Sequence, residues 1–156
     1  QRLCDISNAI TATLCGFDFI DGSRIGVTGN SGGGTSSYYA ACFDERIKVS
    51  MPSSSFCSIV DAWGGIPHCS CSYIRNILDY FEMADLSIMI APRYLIAVNG
   101  VYDHLQPFES AKREFERVKT IFALAGAPDN CRFVEGSEGH RFYADPAWPV
   151  VKEMLK

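Results

Sequence analysis

Four short runs rich in β-branched and aliphatic residues recur along the chain, and helix-like segments flank them. This alternation constrains the fold more than any other feature. The runs are Arg24–Thr28, Ile47–Met51, Tyr94–Val98 and Cys131–Glu135. Each is bounded by turn residues: Gly29, Pro52, Asn99–Gly100 and Gly136. Each reads as a short buried strand. Before the first, Leu3, Ile6, Ile10 and Leu14 mark one helical face ending near Gly16. Between them, Thr35–Cys42 is a helix of small residues, and Tyr73–Tyr80 reads as a helical piece. Phe108, Ala111, Phe115, Val118, Phe122 and Ala125 form the clearest apolar stripe, stopped by Gly126 and Pro128. Ala147–Lys156 closes the chain as a helix. Strands joined through helical crossovers run parallel, so the expectation is an α/β fold, a parallel sheet flanked by helices on both faces. Function then belongs at the carboxyl ends of the strands.

Length and composition bound the rest. The 156 residues suit one domain, 1–156, with a small insertion at about 53–90. With 47% hydrophobic and 21% charged residues, the chain is not disordered, collagen-like or a coiled coil. Its net charge of −4 lacks the basic footprint of a nucleic-acid binder, and no apolar run is long enough to span a membrane. Gln1–Arg2–Leu3–Cys4–Asp5 has no secretory-signal character and no initiator Met, which predicts a cut end and a cytoplasmic location. The seven cysteines are Cys4, Cys15, Cys42, Cys57, Cys69, Cys71 and Cys131, an odd number set mostly among apolar residues. Most read as reduced core thiols, with one or two disulfides as the alternative.

Chemistry-bearing residues follow three of the four strands. Gly29–Asn30–Ser31–Gly32–Gly33 follows the first and fits G-x-S-x-G. A serine on so sharp a strand-to-helix turn is strained, and residues two before and two after it crowd each other, hence the glycines. The turn exposes the Ser31 hydroxyl and offers the Gly32 N–H to a developing oxyanion. The same glycines suit a plain tight turn or a phosphate loop, but no G-K-[ST] accompanies them. After the third strand comes Asp103, which reads either as a cap on the following helix or as a site carboxylate. After the fourth comes His140, within Glu135–Gly136–Ser137–Glu138–Gly139–His140–Arg141–Phe142. The order Ser, Asp, His, each after a different parallel strand, is that of the α/β-hydrolase triad.

These segments resemble the α/β-hydrolase superfamily, nearest to its acetyl xylan esterase, dienelactone hydrolase and prolyl-oligopeptidase-like group. The matching text is Arg24–Gly33, Ala91–Ile96 leading to Gly100–Asp103, and Gly139–Phe142. The resemblance implies a serine esterase that needs no cofactor and no metal. Ser31 would be the nucleophile, His140 the base, Asp103 its orienting acid and Gly32 an oxyanion donor. The substrates implied are short acyl esters such as acetylated carbohydrates. A serine peptidase or amidase of the prolyl-oligopeptidase type and a non-catalytic binding or dimerisation fragment are the alternatives.

Against the family pattern, the chain corresponds to the C-terminal half and lacks the N-terminal strands. That leaves the Arg24–Thr28 strand as an apolar edge and the oxyanion hole with one donor. The expected partners are therefore a small-molecule ester and either another chain or an upstream segment covering that strand. His68, Cys69 and Cys71 invite a metal, but H-C-x-C is too tight for zinc, and packing is the preferred reading. Trp63 and Tyr73, with Tyr80 and Phe81, are candidates to line a substrate pocket in the insertion. His104 adjoins Asp103 too closely to serve as the base. Lys112, Glu114, Glu116, Arg117 and Lys119 read as a solvated helix face.

Overall fold

The computed structural model describes residues 1–64 and 73–155. Four strands form one sheet in the order β1-β2-β3-β4, every pair parallel. They are β1 (Ile25–Asn30), β2 (Ile47–Ser53), β3 (Tyr94–Gly100) and β4 (Cys131–Gly136). The helices are α1 (Arg2–Gly16), α2 (Gly32–Phe43), α3 (Ile59–Trp63), α4 (Phe108–Leu124) and α5 (Ala144–Met154). The expected parallel sheet with flanking helices is thus present.

The sheet divides two apolar layers by residue parity. Leu95 and Ala97 pack with Tyr38 and Ala40 of α2 and with Phe115, Val118 and Phe122 of α4. Ile96 and Val98 point the other way, toward Ala147 and Val151 of α5. Period-2 alternation in a strand covered on both faces produces this split. The middle strands are almost wholly buried, whereas β1 alternates half-buried and exposed residues. Among the described residues, its ladder has a partner on one side only.

Several boundaries differ from the sequence expectations. β1 runs two residues further, into the turn before Ser31, and α2 begins at Gly32 rather than Thr35. β2 continues through Pro52, which stands opposite Gly29; the N–H it lacks falls one residue from the strand end. Tyr73–Tyr80 is not an α-helix: it holds one 3-10 turn, Ile77–Asp79, after Asn76 in the left-handed region. A second 3-10 segment spans Asp85–Met89. On α4, Glu114 is buried rather than solvated, because its carboxylate accepts from Ala84 N–H and pairs with Arg117. Cys42, Cys57 and Cys131 are buried free thiols, but Cys4 and Cys15 are exposed, since α1 buries no residue completely. His68, Cys69 and Cys71 lie outside the described residues. Among the described residues, no helix is long and apolar enough to cross a membrane.

One arginine ties the entry side of the sheet together. Arg93 Nη1 donates to the carbonyls of Asp44 (3.1 Å) and Ile47 (2.6 Å), and Nη2 to those of Ala41 (2.7 Å) and Met89 (2.6 Å). Its planar fork thus satisfies carbonyls at the end of α2, the start of β2 and the end of the Asp85–Met89 turn. Arg93→Ala should cost about 2–3 kcal/mol, because the charged donors vanish while half-buried carbonyls stay. Arg93→Lys should recover less than half, since an ammonium cannot span the four acceptors. Urea unfolding checks this: the midpoint should fall at unchanged slope, and a loss below about 0.5 kcal/mol would contradict it.

Candidate active site

Ser31 sits where β1 turns into α2, with φ 56° and ψ −124°. A non-glycine residue in that region is strained by roughly 1–3 kcal/mol, so its surroundings must enforce it. They do so by close packing. A Cβ on Gly29 would strike the backbone of Gly33. One on Gly34 would strike the Ser55 hydroxyl and come within 2.8 Å of the Ser53 carbonyl and 2.9 Å of the Gly29 carbonyl. Gly33 itself has open space where a Cβ would go, so the crowding falls on Gly29 and Gly34, not on the symmetric pair expected. Ser31 N–H donates to the Ser53 carbonyl at 2.9 Å, and its own carbonyl accepts from Thr35 N–H at 3.0 Å. At the first turn of a helix the leading N–H groups have no intrahelical acceptor, and Gly32 is the first residue of α2.

Asp103 and His140 are brought together from the ends of β3 and β4. His140 Nδ1 lies 2.9 Å from Asp103 Oδ2 and 3.1 Å from Oδ1. The Asp103 side chain is completely buried, and that of His140 is 17% exposed. Asp103 Oδ1 also accepts from the backbone N–H groups of Leu105 and Gln106, both at 3.0 Å. Asp103 does not cap α4, whose N-cap is Pro107 with no side-chain cap bond; one oxygen anchors the turn before that helix while the carboxylate faces the imidazole. His104 is exposed, and Glu138 pairs with Arg141 at 2.7 Å instead of with His140.

Serines laced across the strand ends join the His140 loop to the sharp turn, or elbow, at Ser31, a link that sequence reasoning missed. Ser54 Oγ donates to the Arg141 carbonyl at 3.0 Å. Ser53 Oγ lies 3.2 Å from Asn30 Oδ1 and 3.4 Å from the same Arg141 carbonyl. So the residue before Ser31 and the residue after His140 share Ser53 as a neighbour. Ser54 N–H donates to the Val98 carbonyl at 2.7 Å, fixing this corner to β3.

Tyr143 is the second feature the sequence hid. Its ring fills the space where a Cβ on Gly136 would sit, at the end of β4, and its hydroxyl, with the Gly139 and Glu138 carbonyls, fills the space where one on Gly100 would sit, at the end of β3. Its hydroxyl donates to the Gly139 carbonyl at 2.6 Å and accepts from Glu138 N–H at 3.2 Å. Two glycines facing one tyrosine, all near His140, is the available signal, but pairing them needs the register Gly100↔Gly136.

A cavity of about 280 Å³ opens beside the elbow. Ser31 and Gly32 line it, as do Trp63 and Tyr73, whose rings lie 5.9 Å apart. Tyr80 and Phe81 are exposed and are not among its lining residues.

No known family model matches the chain. The Bacillus subtilis (strain 168) protein YtaP, which carries the name of a hydrolase, is 32% identical over 123 residues, covering 75% of this chain and 40% of that protein. Among solved structures, the methylesterase BT1017 is 26% identical with a TM-score of 0.79, over 99% of this chain and 36% of its own. A family 15 glucuronoyl esterase from Caldicellulosiruptor kristjansonii aligns with a TM-score of 0.79 at 19% identity, over 96% of this chain and 47% of its own. The glucuronoyl esterase catalytic domain of Hypocrea jecorina aligns at 0.77 and 21%, over 98% and 50%. The chain thus spans half or less of the length of these proteins, and nearly all of it shares their fold.

Tyr143→Phe should loosen the loop that carries His140, since it strands a carbonyl and an N–H that the hydroxyl now satisfies. A loss of about 1–2 kcal/mol in stability is expected, with weakening of the Nδ1 proton signal of His140 by NMR. Tyr143→Ala, which also empties the notch beside Gly100 and Gly136, should cost about 3–5 kcal/mol. An unchanged His140 signal in Tyr143→Phe would show that the hydroxyl does not hold the loop.

Proposed function

We propose that this chain, whose fold is that of the α/β-hydrolases, is the C-terminal part of a carboxylic ester hydrolase. It works through Ser31, His140 and Asp103 and forms an acyl-enzyme on Ser31. One observation carries the reading: a completely buried carboxylate faces the imidazole, and both stand at the strand ends where a strained serine opens onto a cavity. The names of the similar proteins, glucuronoyl esterases, a methylesterase and a hydrolase, support the ester bond as the target.

In this mechanism Ser31 Oγ attacks the ester carbonyl carbon. His140 Nε2 takes the hydroxyl proton and returns it to the departing alkoxide oxygen. Asp103 keeps the proton on Nδ1 and stabilises the imidazolium formed in each half of the cycle. Gly32 N–H donates to the oxyanion of the tetrahedral intermediate, a contribution typically worth about 2.7–4 kcal/mol. Water then attacks the acyl-enzyme by the same route. The second oxyanion donor and the cover for the open edge of β1 come from an upstream segment or a second chain. The half-exposed residues of β1 and the greater length of the similar proteins support that arrangement. The segment at about 53–90 acts as a small cap. The alcohol side is carbohydrate-like, as the resemblance implies.

A fluorophosphonate probe should label Ser31 in the protein together with its upstream segment, and Ser31→Ala should abolish labelling. His140→Ala should lower kcat on a nitrophenyl ester by about 10³-fold or more at similar KM. The amide analogue should be cleaved far more slowly than the ester. Faster amide cleavage would favour a peptidase, and failure of the assembled protein to label would favour a non-catalytic module.

A further inference from the structure

The cavity beside Ser31 has a direction and a chemical character that the elbow and the imidazole do not explain. More of its wall is hydrocarbon than polar: Ile59, Ala62, Trp63, Ile77 and Met83 contribute, while Ser55, Asn76 and Gln106 add neutral polar groups. Among the described wall residues no Lys or Arg occurs, and Asp79 is the only carboxylate. A pocket of this kind rewards apolar groups and gives an anionic one no counter-charge.

The cavity also lies on a particular side of the nucleophile. It touches Ser31, Gly32 and Thr35, along the first turn of α2. Asp103, His140 and the loop residues Glu138 and Arg141 are not among its wall residues. An ester held on Ser31 must present its leaving oxygen to the imidazole that protonates it. The acyl chain takes the side away from the imidazole, and the cavity touches Ser31 while His140 is absent from its described wall.

Size selects among acyl groups. An apolar cavity of about 150 Å³ accommodates a benzene ring. The volume here is about 280 Å³, far more than an acetyl methyl requires. We infer that this cavity is an acyl pocket for an uncharged, apolar acyl group of roughly four to eight carbons. The inference rests on the hydrolase reading above and departs from the acetyl-sized group that the family resemblance implies. Each methylene moved from water into the pocket should raise kcat/KM by about fourfold until the pocket is full.

Two isomeric esters test this without a difference in overall composition: ethyl hexanoate carries its chain on the acyl side, and hexyl acetate carries it on the alcohol side. The assembled protein, upstream segment included, should cleave ethyl hexanoate with a kcat/KM about tenfold or more above that of hexyl acetate. Nitrophenyl esters should show the same trend, rising from acetate to hexanoate. Ile77→Trp, which narrows the cavity from an outer segment, should shift the optimum toward acetate. Should that variant fail to fold, the two isomers with the unaltered protein still decide the matter. If Ser31 labels with fluorophosphonate but hexyl acetate is equal or better, the acyl-pocket inference is overturned and the hydrolase reading stands. If Ser31 does not label and neither ester is cleaved, both fall.

Discussion

The strained backbone at Ser31 is the constraint on which the functional rim depends. A left-handed residue between a strand and a helix persists only where the neighbours leave the chain no alternative. Here the alternative is closed from two directions. Gly29 and Gly34 are packed so tightly against Gly33, Ser53 and Ser55 that any side chain there would collide. The Ser53 carbonyl meanwhile accepts the Ser31 N–H, locking the turn to the end of β2. The elbow is therefore a property of two adjacent strand ends. It would relax if β2 slipped in register, and that register is maintained by the sheet core.

The same strand ends hold the imidazole. Parallel strands all finish at one rim, so residues far apart in sequence emerge side by side there. Ser53 and Ser54 exploit this by reaching the Arg141 carbonyl, while Tyr143 braces Gly139 from beneath. Asp103 completes the set, bound at once to its own turn and to His140. Ser31 and Asp103 are each fixed by one local contact and one across the rim, and His140 is held by Asp103 and by the bonds to its neighbours Gly139 and Arg141. Such redundancy is what pre-organisation requires when catalytic geometry must be kept within a fraction of an ångström.

How much of this was legible in the sequence depends on the range of the interaction. The four strands and the long helix α4 were readable because apolar periodicity is local. The sharp turn at Ser31 is legible because G-x-S-x-G marks it locally, although part of the crowding falls on Gly34, one residue beyond that pattern. Ser31, Asp103 and His140 were selected by position after strands, an argument that needs topology but not register. The serine lacing and Tyr143 needed register and were invisible. Serines at 53 and 54 look like any irregular loop until β2 is aligned with β1 and β3. The Tyr73–Tyr80 helix failed for the opposite reason. Its apolar residues line the cavity or lie exposed, so no continuous buried face exists to stabilise a helix.

In the proposed hydrolase, the edge of β1 that no described strand pairs with and the oxyanion hole pose one physical problem, not two. A strand that pairs in parallel with β1 must end at the same rim as Ser31, because parallel strands share their direction. The loop leaving that strand then emerges beside Gly32, where a second N–H is wanted. In that arrangement, hydrogen bonding along the edge and completion of the oxyanion hole would be coupled through geometry. The half-exposed pattern of β1, set beside the sealed β2 and β3, is the mark that such a seam would leave. An unpaired edge of this kind also favours non-specific strand addition, so covering it protects the fold by the same act that equips the site.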